Sequence, residues 1–205
     1  MKYKLLAILL LFTELITARA GHFHSRSHSS IHFQNILYLL IASIIFVFIF
    51  KRVIIKKDKN NSNFLKKLAT KDSNWEPNYI KEMAKNTYLT TQEAWQKNEW
   101  SIAKKYLTDE LYNKYKNIAT KMKKENKKNI ISDISIEEIK IIKVDIEKNE
   151  ISIYIAGSMI DYIINEKTEI IEEGRAEVEN YFKDKMVFVQ QNNKWLLKDI
   201  IKYTG

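Results

Sequence analysis

The sequence contains no cysteine, a single proline and only four glycines. Without cysteine, the chain can form neither disulfide bonds nor thiolate metal sites. The scattered glycines make no glycine-rich phosphate loop. Histidine is absent from residues 58–205, so only carboxylates, tyrosines and lysines are available there for acid–base chemistry. These absences leave few of the residue sets on which enzymes ordinarily rely.

A long uncharged stretch lies near the N-terminus, and only two side chains of Ile36–Phe50 are polar. Counted back to Ile31, the stretch is 20 residues long. At about 1.5 Å per residue, it matches the roughly 30 Å hydrocarbon core of a bilayer. We therefore predict a transmembrane helix at residues 35–55. The alternative, a core helix of a soluble protein, does not explain the basic residues that follow it.

Residues 1–20 have the pattern of a secretory signal peptide, with a basic start, an apolar centre and the exit Ala18-Arg19-Ala20. The alternative is a retained first span, which Glu14 and Arg19 disfavour because charges are costly in lipid. Both arrangements give the same orientation. Residues 19–34, before the predicted span, carry two basic residues, Arg19 and Arg26, whereas five follow the span: Lys51, Arg52, Lys56, Lys57 and Lys59. By the positive-inside rule, we predict a single-pass protein of the bacterial inner membrane with a cytoplasmic C-terminal domain.

All four histidines lie in the predicted loop at residues 21–34: His22, His24, His28 and His32. Their spacing could hold zinc or copper, but no cysteine, aspartate or glutamate is present in the loop to complete a site. We therefore favour a flexible, weakly basic loop and predict neither a metal nor a cofactor.

Most of the net positive charge of the chain lies in residues 1–57. Residues 1–57 contain eight basic residues and one acidic residue, whereas residues 58–205 contain 26 and 24. The domain is therefore nearly neutral, which argues against a nucleic-acid partner.

Residues 56–74 fit either a basic linker or an amphipathic helix in the lipid headgroup layer. The candidate membrane-contact residues share one short segment: Phe64, Leu65, Lys66, Lys67 and Leu68.

The remaining chain predicts helices followed by strands. Apolar residues recur at helical spacing from Pro77 to about Gln96, Asn98 is placed to cap a short helix, and Thr108 is placed to cap a further helix. From Ile130 the period changes to two, with turns at Lys148-Asn149, Asn165–Thr168 and Asn192-Asn193. A bulge is expected at Glu137-Glu138, followed by a shared face of Ile142, Val144 and Ile146. The order predicts an α+β domain at residues 75–205, with helices on one face of a curved antiparallel sheet.

Four motifs in this domain resemble a known family: Glu93-Ala94-Trp95 followed by Leu107–Tyr112; Asn129–Ile136; Gly157–Tyr162; and Val187–Val189 before Lys194–Leu197. The family is that of the C-terminal domain of the forty-four-kilodalton subunit of the mitochondrial inner-membrane import machinery, with its bacterial membrane-anchored relatives. The resemblance covers about Trp75–Ile201. Relatives often have tryptophan where this chain has Met186, and the long coiled region that recruits a chaperone is missing.

The resemblance implies a cone of the nuclear-transport-factor-two type, in which helices and a bent sheet enclose an apolar pocket. It also implies a non-catalytic, membrane-anchored module that docks anionic membrane lipid or a membrane or translocation protein. Phe64–Leu68 are the nearest equivalents of the family's docking helices.

Two other functions remain open. Similar cones serve as scaffold subunits of secretion or assembly complexes, usually on the outer side of the membrane. Other cones are isomerases or dehydratases, for which Asp161 with Tyr162 or Tyr154 is the one candidate pair. Strand alternation places Asp161 on the opposite face from both tyrosines, which counts against an enzyme.

The signal-peptide prediction can be tested on the mature protein. We expect mass spectrometry of the purified chain to find Gly21 as its first residue, because the cleavage pattern ends at Ala20. A mature chain that begins at Met1 would establish a retained segment instead.

Overall fold

The computed structural model describes residues 28–204, with side chains from residue 34 onward. It divides into two units, residues 1–48 and 49–205, and each is considered by itself. The predicted signal peptide and the first part of the histidine-containing loop lie outside the described residues.

Helix α1, His28–Ala69, is the longest element. Within the described part of the chain, it is the one helix long and apolar enough to cross a membrane. Two boundaries differ from the sequence prediction, since the helix begins inside the expected loop at residues 21–34 and continues past residue 55. No proline or glycine interrupts it, so nothing local ends it where the apolar stretch ends.

Two further helices precede the sheet, with two short 3-10 turns between them and a third, Ser73–Trp75, before the first of these helices. Helix α2, Pro77–Lys97, confirms the predicted start at Pro77. Helix α3, Asp109–Lys124, confirms the cap, because the Leu111 N–H donates to Thr108 Oγ1 at 3.3 Å. The prediction that Asn98 begins a helix was wrong. Asn98 adopts a left-handed conformation, with φ 52°, that ends α2, and residues 100–106 form the two 3-10 turns.

The sheet is a four-stranded antiparallel meander in the order β1-β2-β3-β4. Its strands are β1 Lys127–Asp145, β2 Glu150–Asn165, β3 Ile171–Gln191 and β4 Lys194–Lys202. The expected turns form between the strands: Asn149 has positive φ in the first, and Asn192 and Asn193 in the third, whereas Glu169 has positive φ in the second. The helix-then-meander order confirms the predicted α+β fold, in which helices are followed by an antiparallel sheet.

The helices pack on one face of the sheet, which we call the inner face. Its fully buried side chains come from α2, β1, β2, β3 and β4: Ile80, Tyr88, Ile141, Ile151, Ile153, Ile155, Met186, Phe188 and Leu197. The rings of Trp75 and Trp195 meet edge to face at 5.0 Å. The inner face therefore holds the main hydrophobic core.

Strand β1 departs from simple alternation at three register shifts, between residues 132/135, 136/138 and 141/143. The second confirms the bulge predicted at Glu137-Glu138. The third overturns the predicted shared face of Ile142, Val144 and Ile146. A bulge reverses the facing of the residues after it, so the second shift brings Ile141 into the inner core and leaves Ile142 on the opposite, outer face. The third shift returns Val144 to the inner face.

Helix α1 contributes to both faces of the sheet. Ile54 is buried in a small outer-face cluster with Tyr154 and Ala156, whereas Leu65 is buried in the inner core. The 11 residues between them span about 16 Å of helix. Helix α1 therefore crosses the β1 edge of the sheet.

Two side chains of α1 pair with the backbone of this edge. Asp58 Oδ1 accepts from the Ile141 N–H at 2.8 Å, and Asn61 Nδ2 donates to the Ile141 carbonyl oxygen at 2.8 Å. Lys81 of α2 forms an ion pair with Asp58 at 2.9 Å. We call Asp58 and Asn61 the edge clasp. It satisfies backbone groups that an edge strand otherwise leaves unpaired.

The edge clasp can be tested by substitution at Asp58. We expect Asp58→Ala to lower the free energy of unfolding by about 1–3 kcal/mol, because it leaves the partly buried Ile141 N–H without an acceptor. Urea unfolding of the full chain in detergent, followed by tryptophan fluorescence, would measure the loss. Asp58→Asn is the matched control, since it keeps an acceptor oxygen and should lose less. Equal losses would assign the effect to the ion pair with Lys81.

Candidate functional site

The predicted membrane-contact segment, Phe64–Leu68, divides between surface and core. Lys66 and Lys67 are exposed, and Phe64 is 41% exposed. Leu65, in contrast, is fully buried and Leu68 packs against the same inner core. Leu65 is therefore unavailable for a surface contact, which corrects that part of the prediction. A membrane contact through Phe64, Lys66 and Lys67 stays a prediction.

The inner face contains a polar pair that sequence reasoning missed. The Tyr88 hydroxyl donates to Asp184 Oδ2 at 3.4 Å, a long hydrogen bond, and the Tyr88 ring stacks on Phe182 at 5.1 Å. Burial, and then the charge of Asp184, raise the pKa of Tyr88 above its usual range. Burial also raises the pKa of Asp184. The alternation of side chains along β3 could have indicated the position of Asp184. Asp184 lies between Phe182 and Met186, on the apolar face of the strand.

The carboxylate–tyrosine pair proposed for an enzyme does not form. Asp161 is half-buried, and burial raises the pKa of Asp161, whereas the nearby Asn129 side chain acts in the opposite direction. Tyr154 instead belongs to the outer-face cluster, and desolvation there raises the pKa of Tyr154 to about 12. Seven strand positions separate the two residues, which places them on opposite faces of β2. The expected alternation is confirmed.

A cleft of about 410 Å³ lies on the outer face, where α1 meets strands β1, β3 and β4. We call it the outer-face cleft, and it is lined by Lys57, Ile142, Lys143, Ser152, Lys185, Ile201, Lys202, Tyr203 and Thr204. Sequence reasoning missed it, because its residues come from α1, from all four strands and from the residues after β4. The β1 bulges also had to place Ile142 on the outer face.

Metal binding by the four histidines stays untested, because their side chains lie outside the described ones. Among the side chains that the structure describes, no group of three histidine, aspartate or glutamate residues could hold a metal ion.

A model of the Tim44-like domain matches residues 61–202. The chain therefore belongs to the Tim44-like domain family, as its four sequence motifs indicated. The match begins within α1, upstream of those motifs, so the family's domain includes the last turns of the long helix. A comparison with curated proteins found no relative.

Two solved structures resemble the chain at low sequence identity. The intermembrane-space region of the chloroplast protein ARC6 has a TM-score of 0.44 and 7% identity, and the likeness covers 61% of this chain and 97% of that one. A putative polyketide cyclase from Xanthomonas campestris pv. campestris has a TM-score of 0.31 and 9% identity, covering 58% and 91%. At these scores neither likeness bears on function.

The raised pKa of Asp184 predicts how the stability of the fold depends on pH. Because the pKa of Asp184 is raised in the folded state, stability should fall as pH rises from the unfolded pKa of about 3.9 through the folded pKa. Asp184→Asn removes this loss, so we expect the variant to have the higher urea midpoint at pH 7 and little advantage at pH 3.

The matched control is Glu177→Gln, which removes one negative charge from an exposed position on the same strand. It should leave the pH profile unchanged. A lower midpoint for Asp184→Asn at pH 7 would show that the fold depends on the ionised carboxylate.

Proposed function

We propose that this chain is a non-catalytic, membrane-anchored binding module that docks anionic lipid or a protein partner at the cytoplasmic face of a bacterial inner membrane. Its process would be protein transport or assembly. One observation carries the proposal, namely that a single helix includes both an apolar segment of membrane-spanning length and a part packed into the Tim44-like domain.

The apolar part of α1 supports the anchor. Its large apolar side chains from Ile36 to Ile49 are 41–70% exposed. A continuous exposed apolar surface of this size is unfavourable in water, whereas lipid tails would cover it.

The packed part of α1 supports docking close to the membrane. Ile54 is buried in the domain only four residues after Phe50, the end of the apolar stretch. Even a fully extended chain of four residues spans at most about 14 Å. A bilayer that holds the apolar segment therefore also holds the domain near its surface.

The orientation is supported by charge. Basic residues follow the apolar segment closely, at Lys51, Arg52, Lys56 and Lys57, and the positive-inside rule places them in the cytoplasm. Exposed lysines on the domain side of the segment, such as Lys66 and Lys67, would then face anionic lipid, at about 1 kcal/mol each.

The inner face supports a non-catalytic role. In its polar pair, the Tyr88 side chain is fully buried and stacked on Phe182, and Asp184 is half-buried. A general acid or base has to be within hydrogen-bond reach of a substrate, directly or through one water. The pair is better explained as an internal hydrogen bond between α2 and β3.

The anchor and its orientation can be tested on the full chain. We expect the protein to resist extraction by alkaline carbonate and a reporter fused at Gly205 to be active in the cytoplasm. Ile41→Arg with Ile45→Arg should release the chain, because each arginine at a helix centre costs about 2.5–3.5 kcal/mol of insertion free energy. Leu65→Ala, in the packed part, is the control that should stay in the membrane. A reporter active outside the cytoplasm would favour the secretion-scaffold alternative.

The docking partner can be sought by crosslinking and mass spectrometry in native membranes. We expect crosslinks from Lys66 or Lys67 to lipid or to a membrane protein. Crosslinks that join only residues of this chain would contradict docking through that surface.

A further inference from the structure

We propose that the outer-face cleft is a binding site for a phosphate-bearing anion. The proposal goes beyond the membrane-docking function, because the cleft lies wholly within residues 57–204 and does not require the anchor.

The charge of the cleft favours an anion. Its lining includes Lys57 of α1, Lys143 of β1 and Lys185 of β3, and no aspartate or glutamate. Lys143 Nζ lies 3.1 Å from Asp145 Oδ2, so that charge is partly balanced. Among the residues that the structure describes, no carboxylate lies within 4.0 Å of Lys57 Nζ or Lys185 Nζ. An anion in the cleft would therefore gain two lysine partners that the fold leaves unpaired.

Lys202 also lines the cleft, but its charge is not counted toward binding. In the β3–β4 register it pairs with Asp184, which places its side chain on the inner face. Consistent with this position, the charge of Lys202 lowers the pKa of Asp184, whereas burial raises it.

The converging lysines are far apart in the sequence. Lys57, Lys143 and Lys185 belong to three elements and are brought together only by the crossing of α1 over the sheet edge. Residues 58–205 carry 26 basic and 24 acidic residues, so three lysines and no acidic residue in one lining are a local concentration of positive charge.

The uncharged lining also suits a phosphate ester. Hydroxyl groups of Ser152, Tyr203 and Thr204 can donate to phosphate oxygens, which accept strong hydrogen bonds. Tyr203 is held in place, since its N–H donates to the Lys183 carbonyl oxygen at 2.8 Å and its ring meets Tyr154 at 5.1 Å.

The size and apolar side of the cleft indicate more than inorganic phosphate. About 410 Å³ lies within the usual range of small-molecule sites. Ile142 and Ile201 provide an apolar wall for an organic substituent. The chemistry is that of a small phosphate monoester or diester.

Two sources could supply this chemistry, a lipid headgroup or a soluble phosphate ester. Lys57 follows Phe50 by seven residues, or about 10 Å along the helix, and the headgroup layer begins where the hydrocarbon core ends. A lipid headgroup can therefore reach Lys57. The two arms of the experiment below distinguish a headgroup from a soluble ester.

The test uses the full chain in nanodiscs of phosphatidylcholine, a zwitterionic lipid. In one arm, glycerol 3-phosphate is titrated and binding is measured by calorimetry. In the other, the nanodiscs contain phosphatidylglycerol, and lipid retained by the protein after detergent extraction is measured by native mass spectrometry. We expect saturable binding in one arm or both, and the arm identifies the source.

The variant is Lys57→Gln with Lys185→Gln, and the control is Lys123→Gln with Lys124→Gln, which removes the same charge from exposed positions outside the cleft. We expect the cleft variant to bind at least about tenfold more weakly, because it loses two charge-assisted hydrogen bonds. The control should bind as the unchanged chain does. Unfolding curves of both variants check that the fold is intact.

Two results would overturn the proposal: no binding in either arm, or equal weakening by the two double substitutions, which would indicate non-specific attraction. If the chain fails to insert in membranes, the glycerol 3-phosphate arm still tests the cleft in detergent. If it inserts but binds neither probe, the cleft proposal fails and the membrane anchor stands.

Discussion

The exposed edge of β1 is the constraint on which the other features depend. An edge strand presents backbone groups that need partners, and here Asp58 and Asn61 of α1 take both groups of Ile141. The same contact fixes where α1 crosses the sheet. Ile54 is thereby placed on the outer face and Leu65 in the inner core. A helix that begins as an apolar segment therefore ends as an integral part of the folded domain.

A single helix, α1, includes the apolar segment that could cross a membrane and, within residues 49–69, an element packed against the sheet. The outer-face cleft is a consequence, because α1 supplies one wall and the sheet the other.

The two faces of the sheet divide the chemistry of the domain. The inner face is mainly apolar and includes the pair of Tyr88 and the half-buried Asp184, which links α2 to β3. The apolar cluster on the outer face is smaller, and lysines line the cleft there. Our binding proposals accordingly concern exposed surfaces and not the core.

The sequence by itself determined the elements whose signals are local. Apolar run length predicted the span, Pro77 and Thr108 predicted helix starts, and asparagines predicted the strand turns, because each depends on a few neighbouring residues. It could not place Leu65 in the core or extend α1 beyond residue 55, since packing against a distant sheet decided both. The β1 bulges likewise decided which of Ile141 and Ile142 faces inward. The cleft lysines converge only after α1 crosses the sheet, so only the tertiary structure could bring them together.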